Sequence, residues 1–179
     1  VDFIRRRHAW QIEPEWVVIL PGVVTGTILA ARTFDQPGKK LVIQPPVYPP
    51  FFDAAKTTDL VLRYAYLVND GEGNYSIDFE IFENAIADNA GMFLLCNPHN
   101  PVGRVFTRKE LQRMADICLK HHVPICSDEI HSDLIFSGYE HIPIAMLSDE
   151  IAQSSITLMA PSKTFNVAGL STSSVVISN

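Results

Sequence analysis

The 179 residues are 47% apolar and 19% charged, and 20 acidic against 14 basic side chains leave a net charge of −6. This profile excludes a disordered chain and suits one globular domain with a buried core. It also excludes the strongly basic balance that nucleic acid or an anionic membrane would call for, since the one basic run, Arg5-Arg6-Arg7, reads as a solvated helix face.

In chain order, apolar β-rich runs at Val17–Leu20 and Leu41–Gln44 enclose a helix from Gly26 to about Phe34. A strand at Leu60–Tyr64 precedes a helix over Phe79–Ala87, with Asp78 placed to cap it. A strand at Met92–Cys96 follows. Thr107-Arg108-Lys109-Glu110 is a capping box that opens a helix to about Lys120. Further strands are expected at Pro124–Ser127, Ile156–Met159 and Ser174–Ile177. They carry little polar alternation, as strands covered on both faces do. Strand–helix alternation of this kind predicts a three-layer α/β/α fold around a mostly parallel seven-stranded sheet.

The sequence starts without Met and in mid-pattern, and it stops just after Val175-Val176-Ile177. It reads as one domain, residues 1–179, cut from a longer chain. No apolar stretch approaches the length of a membrane span, and no signal-peptide pattern opens the chain. Cys96, Cys118 and Cys126 have no CxxC spacing, and two of them sit in apolar runs. Buried reduced thiols and a cytoplasmic location are expected.

Ligands of parallel sheets bind beyond the carboxyl ends of the strands. Five turn-rich segments fall there. They are Pro21–Gly26, Pro45–Pro50, Asn97–Gly103, Asp128–His131 and Ala160–Asn166. Lys163 lies in the last, with no acidic neighbour in sequence. At a partly desolvated rim it becomes a usable amine nucleophile, although read alone it is a surface lysine. Asp128 follows a strand directly, and could hold a protonated ring nitrogen or cap a helix. Asn100, between prolines, could bond a ligand oxygen or its own backbone. Pro98 and Pro101 are candidates for cis peptides. Tyr48 could offer a ring face to an aromatic ligand or pack on the core. Val23, Val24 and Thr25 precede a helix whose free N–H groups favour a phosphate. Asp128, Glu129, His131 and Asp133, with His99 or His121-His122, could also be taken as metal ligands, but no metal-site spacing is present.

These segments carry a resemblance. Pro21-Gly22-Val23-Val24, Gln44–Phe51, Cys96–Arg104, Ser127–His131 and Ala160–Leu170 resemble the fold-type I pyridoxal-phosphate enzymes, the class I/II aminotransferase superfamily. Within it they are most similar to the cystathionine β-lyase-like branch that includes MalY and PatB. The resemblance implies pyridoxal 5'-phosphate as cofactor, Lys163 as the Schiff-base lysine and Asp128 as partner of the pyridine nitrogen. It implies Asn100 on the phenolic oxygen, Tyr48 stacked on the ring, and the phosphate held by the Val23 and Val24 backbone with the Ser162 hydroxyl. His131 stands where many aminotransferases have a tyrosine beside the phenolic oxygen. Ser171 stands where many relatives place a phosphate-binding arginine. Members of the family are about twice this length, so an N-terminal segment, a C-terminal small domain with the substrate-gripping arginine, and a homodimer partner are implied outside this chain. The expected activity on an amino-acid substrate is C–S β-elimination. The alternatives are transamination and, in a protein with a DNA-binding region attached, ligand sensing.

Overall fold

The computed structural model describes residues 1–178. Its strands are β1 (Val17–Leu20), β2 (Lys40–Ile43), β3 (Val61–Tyr64), β4 (Leu67–Asn69), β5 (Tyr75–Ile77), β6 (Ala90–Cys96), β7 (Ile125–Asp128), β8 (Ser155–Met159) and β9 (Ser173–Val176). Its α-helices are α1 (Asp2–His8), α2 (Val23–Thr33), α3 (Pro50–Lys56), α4 (Phe79–Ala87), α5 (Arg108–Lys120), α6 (Asp149–Gln153) and α7 (Pro161–Thr164).

Seven strands form one sheet in the order β1-β9-β8-β7-β6-β2-β3, and β4 and β5 make a separate hairpin. β9 is antiparallel to both its neighbours, while the other pairings within the seven-stranded sheet are parallel. Six strands therefore share a direction, and their carboxyl ends open on one rim. The expected three-layer α/β/α arrangement is present.

Side chains alternate across the sheet as the pleat requires. Leu41, Ile43, Met92 and Leu94 point to one face and pack with Ala30 and Ala31 of α2 and Phe51 and Ala54 of α3. Val42, Phe93 and Leu95 point to the other face, against Phe82 and Ile86 of α4 and Leu111 and Met114 of α5. Both faces are covered by helices, which explains why these strands show no polar alternation. The capping box that opens α5 is formed, with Thr107 and Glu110 exchanging hydrogen bonds. Asp78 caps α4 by accepting from the Glu80 and Ile81 N–H groups.

Some expectations are corrected. α2 begins at Val23 rather than Gly26, because Gly22 at φ 103° makes the turn and leaves Val23 as the first helical residue. Asp128 is the last residue of β7, paired with Cys96 and Leu158, rather than the residue after it. Lys163 lies in the single turn of α7. The hairpin and the short helices α1, α3, α6 and α7 are additional elements.

Gly26 lets α2 lie close to the sheet. A Cβ there would stand 2.8 Å from Leu158 Cδ2 and 3.5 Å from Leu20 Cδ1. Leu158 is fully packed and cannot step aside freely. Gly26→Val in the full-length protein is expected to lower stability by about 1–3 kcal/mol, read as a denaturation midpoint. An unchanged midpoint would mean that α2 is not pinned at this contact.

Candidate active site

The rim holds a cavity of about 310 Å³ lined by residues from all five turn-rich segments. Gly22, Val23 and Val24 come from the end of β1 and the first turn of α2, and Tyr48 from beyond β2. Cys96 and Asn100 come from the end of β6, Asp128 and His131 from the end of β7, and Ser162 and Lys163 from α7 after β8. Ser171 and Thr172 close the wall, because antiparallel β9 starts at this same rim. The structure thus brings Val23, Val24, Tyr48, Asn100, Asp128, His131, Ser162 and Lys163 to one cavity, whereas Thr25, His99, Glu129 and Asp133 do not line it. A larger cleft of about 700 Å³ shares Asn100 and His131 with it and runs past Leu134, Phe136 and Tyr139.

Asp128 is the electrostatic centre of the cavity. Its carboxylate is buried and accepts one hydrogen bond, from the Ile130 N–H at 3.1 Å. Residues 130–133 form turns rather than a helix, so the carboxylate does not cap a helix. Burial pushes the Asp128 carboxyl up to about 7, and the neighbouring Glu129 adds to this. The Ile130 N–H and the Lys163 ammonium act in the opposite direction and do not cancel it. A buried carboxyl in this state is short of a cation. His131 faces the same cavity, and burial followed by the Lys163 charge holds its imidazole below the usual value.

The remaining residues have the following settings. Lys163 is solvent-exposed on the cavity wall, and the expected partial desolvation is not present in this chain because the cavity is open there. Asn100 makes no side-chain hydrogen bond among the described residues; its N–H donates to Cys96 Sγ at 3.4 Å. Its amide is thus not spent on its own backbone. The Asn97-Pro98 and Asn100-Pro101 bonds are cis, as is Pro45-Pro46. Tyr48 is half-buried, with an edge contact to Phe51 at 6.5 Å between centroids, and its remaining surface lines the cavity. Val23 and Val24 stand in the first turn of the 11-residue helix α2, where backbone N–H groups have no helical acceptor.

The acidic cluster does not converge as a metal site would. Glu129 is fully buried away from the cavity and accepts from Ser127 Oγ, the Ile144 N–H and His141 Nε2 at 2.8–3.0 Å. Asp133 turns towards Arg7 and Thr164. Among the described residues, no three His, Cys, Asp or Glu side chains are grouped to hold a metal ion. Sequence reasoning missed Ile130 and Thr172 as cavity residues. Ile130 had a signal, since it stands two positions beyond Asp128.

The sequence profile for Aminotransferase class I and II matches residues 1–179. The chain belongs to the class I and II aminotransferase family. It is 44% identical to cystathionine beta-lyase PatB of Bacillus subtilis (strain 168) over 176 residues, 98% of this chain and 45% of that protein. Cystalysin from Treponema denticola, whose crystal structure contains a pyridoxal 5'-phosphate cofactor, superposes with a TM-score of 0.96 at 42% identity, covering 99% of this chain and 45% of cystalysin. A PLP-bound C-S lyase from Staphylococcus hominis gives 0.94 at 34% identity, covering 100% of this chain and 46% of that one. The chain spans a little under half the length of these class I and II aminotransferase relatives.

The raised Asp128 carboxyl has a consequence for stability. Between its ordinary value of 3.8 and about 7, the folded chain keeps a proton that the unfolded chain has already lost. This group therefore lowers stability as pH rises through that window, by on the order of a few kcal/mol in total. In ligand-free full-length protein, Asp128→Asn should gain in melting temperature relative to the parent from pH 4 to pH 7, then hold level. A gap that stays constant over this range contradicts an uncompensated carboxylate.

Proposed function

We propose that residues 1–179 form the large, cofactor-binding domain of a pyridoxal-phosphate enzyme that cleaves C–S bonds in amino-acid substrates. The observation that carries this reading is the buried Asp128 carboxyl, with one N–H donor and no ion pair among the described residues, in one cavity with the Lys163 amine.

The residues present fit that cofactor. A pyridinium nitrogen would supply the cationic donor that Asp128 lacks, through a charge-assisted hydrogen bond. The free N–H groups at Val23 and Val24 and the Ser162 hydroxyl suit a phosphate. Ser171 lines the same wall, so a phosphate held there would meet a hydroxyl in place of a guanidinium. The unspent Asn100 amide can donate to a phenolic oxygen, with the His131 imidazole beside it. The Tyr48 ring can cover an aromatic face.

When bound, the group supplies an electron sink for negative charge that develops at a substrate α-carbon. Lys163 Nζ is the base that takes the α-proton. Asp128 would hold a proton on the ring nitrogen, a contribution that would grow as charge develops in the transition state. With sulfur on the β-carbon, loss of the α-proton leads to loss of a thiol, and hydrolysis then gives pyruvate and ammonia. The apolar wall of Leu134, Phe136 and Tyr139 offers room for a bulky sulfur-bearing side chain. The named C–S lyases among the relatives support elimination over transamination.

The family resemblance supports a homodimer for the full-length enzyme. A cytoplasmic setting fits the three free, buried cysteines, with burial pushing Cys96 up to about 12. Among the described residues, no helix is long and apolar enough to cross a membrane.

Full-length enzyme given cystathionine or another cysteine S-conjugate should release pyruvate and ammonia without any added keto acid. Pyruvate that appears only when a keto acid is supplied as amino acceptor would replace lyase by aminotransferase. The Asp128→Asn variant should lose turnover by about a hundredfold or more while its cofactor affinity changes far less. Near-native turnover in that variant would remove Asp128 from the mechanism.

A further inference from the structure

We infer that Asp133 is a positioning residue for Lys163, acting through the Thr164 hydroxyl. The inference rests on the proposed role of Lys163 as the lysine that attaches the cofactor.

α7 is a single turn of four residues, and its own backbone bonds fix its shape but not its aim. Phe165 N–H donates to the Pro161 carbonyl at 2.9 Å, and Val167 N–H to the Ser162 carbonyl at 3.0 Å. Among the described residues, one side-chain hydrogen bond leaves this turn. Thr164 Oγ1 donates to Asp133 Oδ2 at 2.9 Å. Thr164 directly follows Lys163, so this contact sets where the turn presents the amine.

Asp133 is itself held from several sides. Its side chain is only 7% exposed, and Oδ1 accepts from Arg7 Nε at 2.7 Å. Arg7 Nη2 also donates to the Asp133 carbonyl at 3.2 Å. His8 Nε2 lies 3.8 Å from the same Oδ1. Burial and the His141 imidazole keep His8 below its usual value, so Arg7 is the cation on Asp133 at neutral pH. Behind Asp133, the Ser132 N–H donates to the Glu129 carbonyl at 3.0 Å, and the Glu129 carboxylate is fastened into the body of the domain. One short segment thus places Asp128 in the cavity and grips the lysine-bearing turn. Phe3 of α1 meets Phe165 edge-on at 6.1 Å, which closes the same junction from outside. Arg7, expected to be a solvated residue, is part of this clamp.

A merely structural clamp and a positioning clamp predict different results. The test uses full-length protein stripped of cofactor and compares the parent with Thr164→Val, Thr164→Ser and Asp133→Asn. Pyridoxal phosphate is added, and covalent attachment is followed by absorbance, with the site confirmed by peptide mapping. Pyridoxine phosphate, which has no aldehyde and needs no lysine, is titrated in parallel. Attachment should slow by about tenfold in Thr164→Val and stay within about twofold of the parent in Thr164→Ser, since a small misplacement of a reacting group is costly. Asp133→Asn should slow attachment too, while pyridoxine phosphate binds all four proteins with similar affinity. Parent-like attachment in Thr164→Val, or loss of pyridoxine phosphate binding in step with loss of attachment, overturns the positioning role. A parent that forms no adduct at Lys163 overturns the proposed function instead, so the two failures are distinct.

Discussion

A carboxylate buried without a cation beside it is costly, and the rim of this sheet is arranged around one. Asp128 ends β7 in the middle of the sheet, where both neighbouring strands are paired to it and its side chain is buried at the wall of the cavity. A single N–H from Ile130 does not offset that burial, and the carboxyl is pushed up to about 7. Buried groups with a raised value and few partners cluster at ligand and catalytic sites. The other cavity features are arranged with respect to it: free N–H groups at the α2 start, an unspent amide at Asn100 and an amine at Lys163.

The contrast with Glu129 makes the point sharper. The two acids are adjacent in sequence and alternate in direction, as residues at the end of a strand do. Glu129 has Ser127, His141 and the Ile144 N–H as donors and serves the body of the domain. Asp128 has one donor and faces the cavity. Low dielectric strengthens a satisfied network and penalises an unsatisfied one, so one physical setting gives the two carboxylates opposite roles.

Much of this was legible in the sequence. The central strands β2, β6, β7 and β8 are apolar runs because both faces are covered, while the edge strands β1 and β3 stay partly exposed, and the five turn-rich segments fall at the strands' carboxyl ends by the direction of the chain alone. Helices α4 and α5 were visible through Asp78 and the Thr107–Glu110 box, whose bonds are local. What stayed hidden is short or long-range. The β4–β5 strands have three residues each and cannot show a period. α2 starts earlier than its pattern suggests because Val23 and Val24 look strand-like, yet the backbone turns at Gly22. The Asp133–Thr164 bond joins residues 31 apart, and the Arg7–Asp133 bond joins residues 126 apart. No local rule reports such pairs, and the same holds for the exposure of Lys163 on an open cavity wall.

The central claim is that Lys163 and Asp128 share one cofactor, and the attachment point tests it most directly. Full-length protein loaded with pyridoxal phosphate, reduced with borohydride and digested should yield one peptide carrying the reduced cofactor, with the added mass on Lys163. An adduct on Lys39, Lys120 or any other lysine, or no adduct in protein that binds the cofactor, contradicts the account.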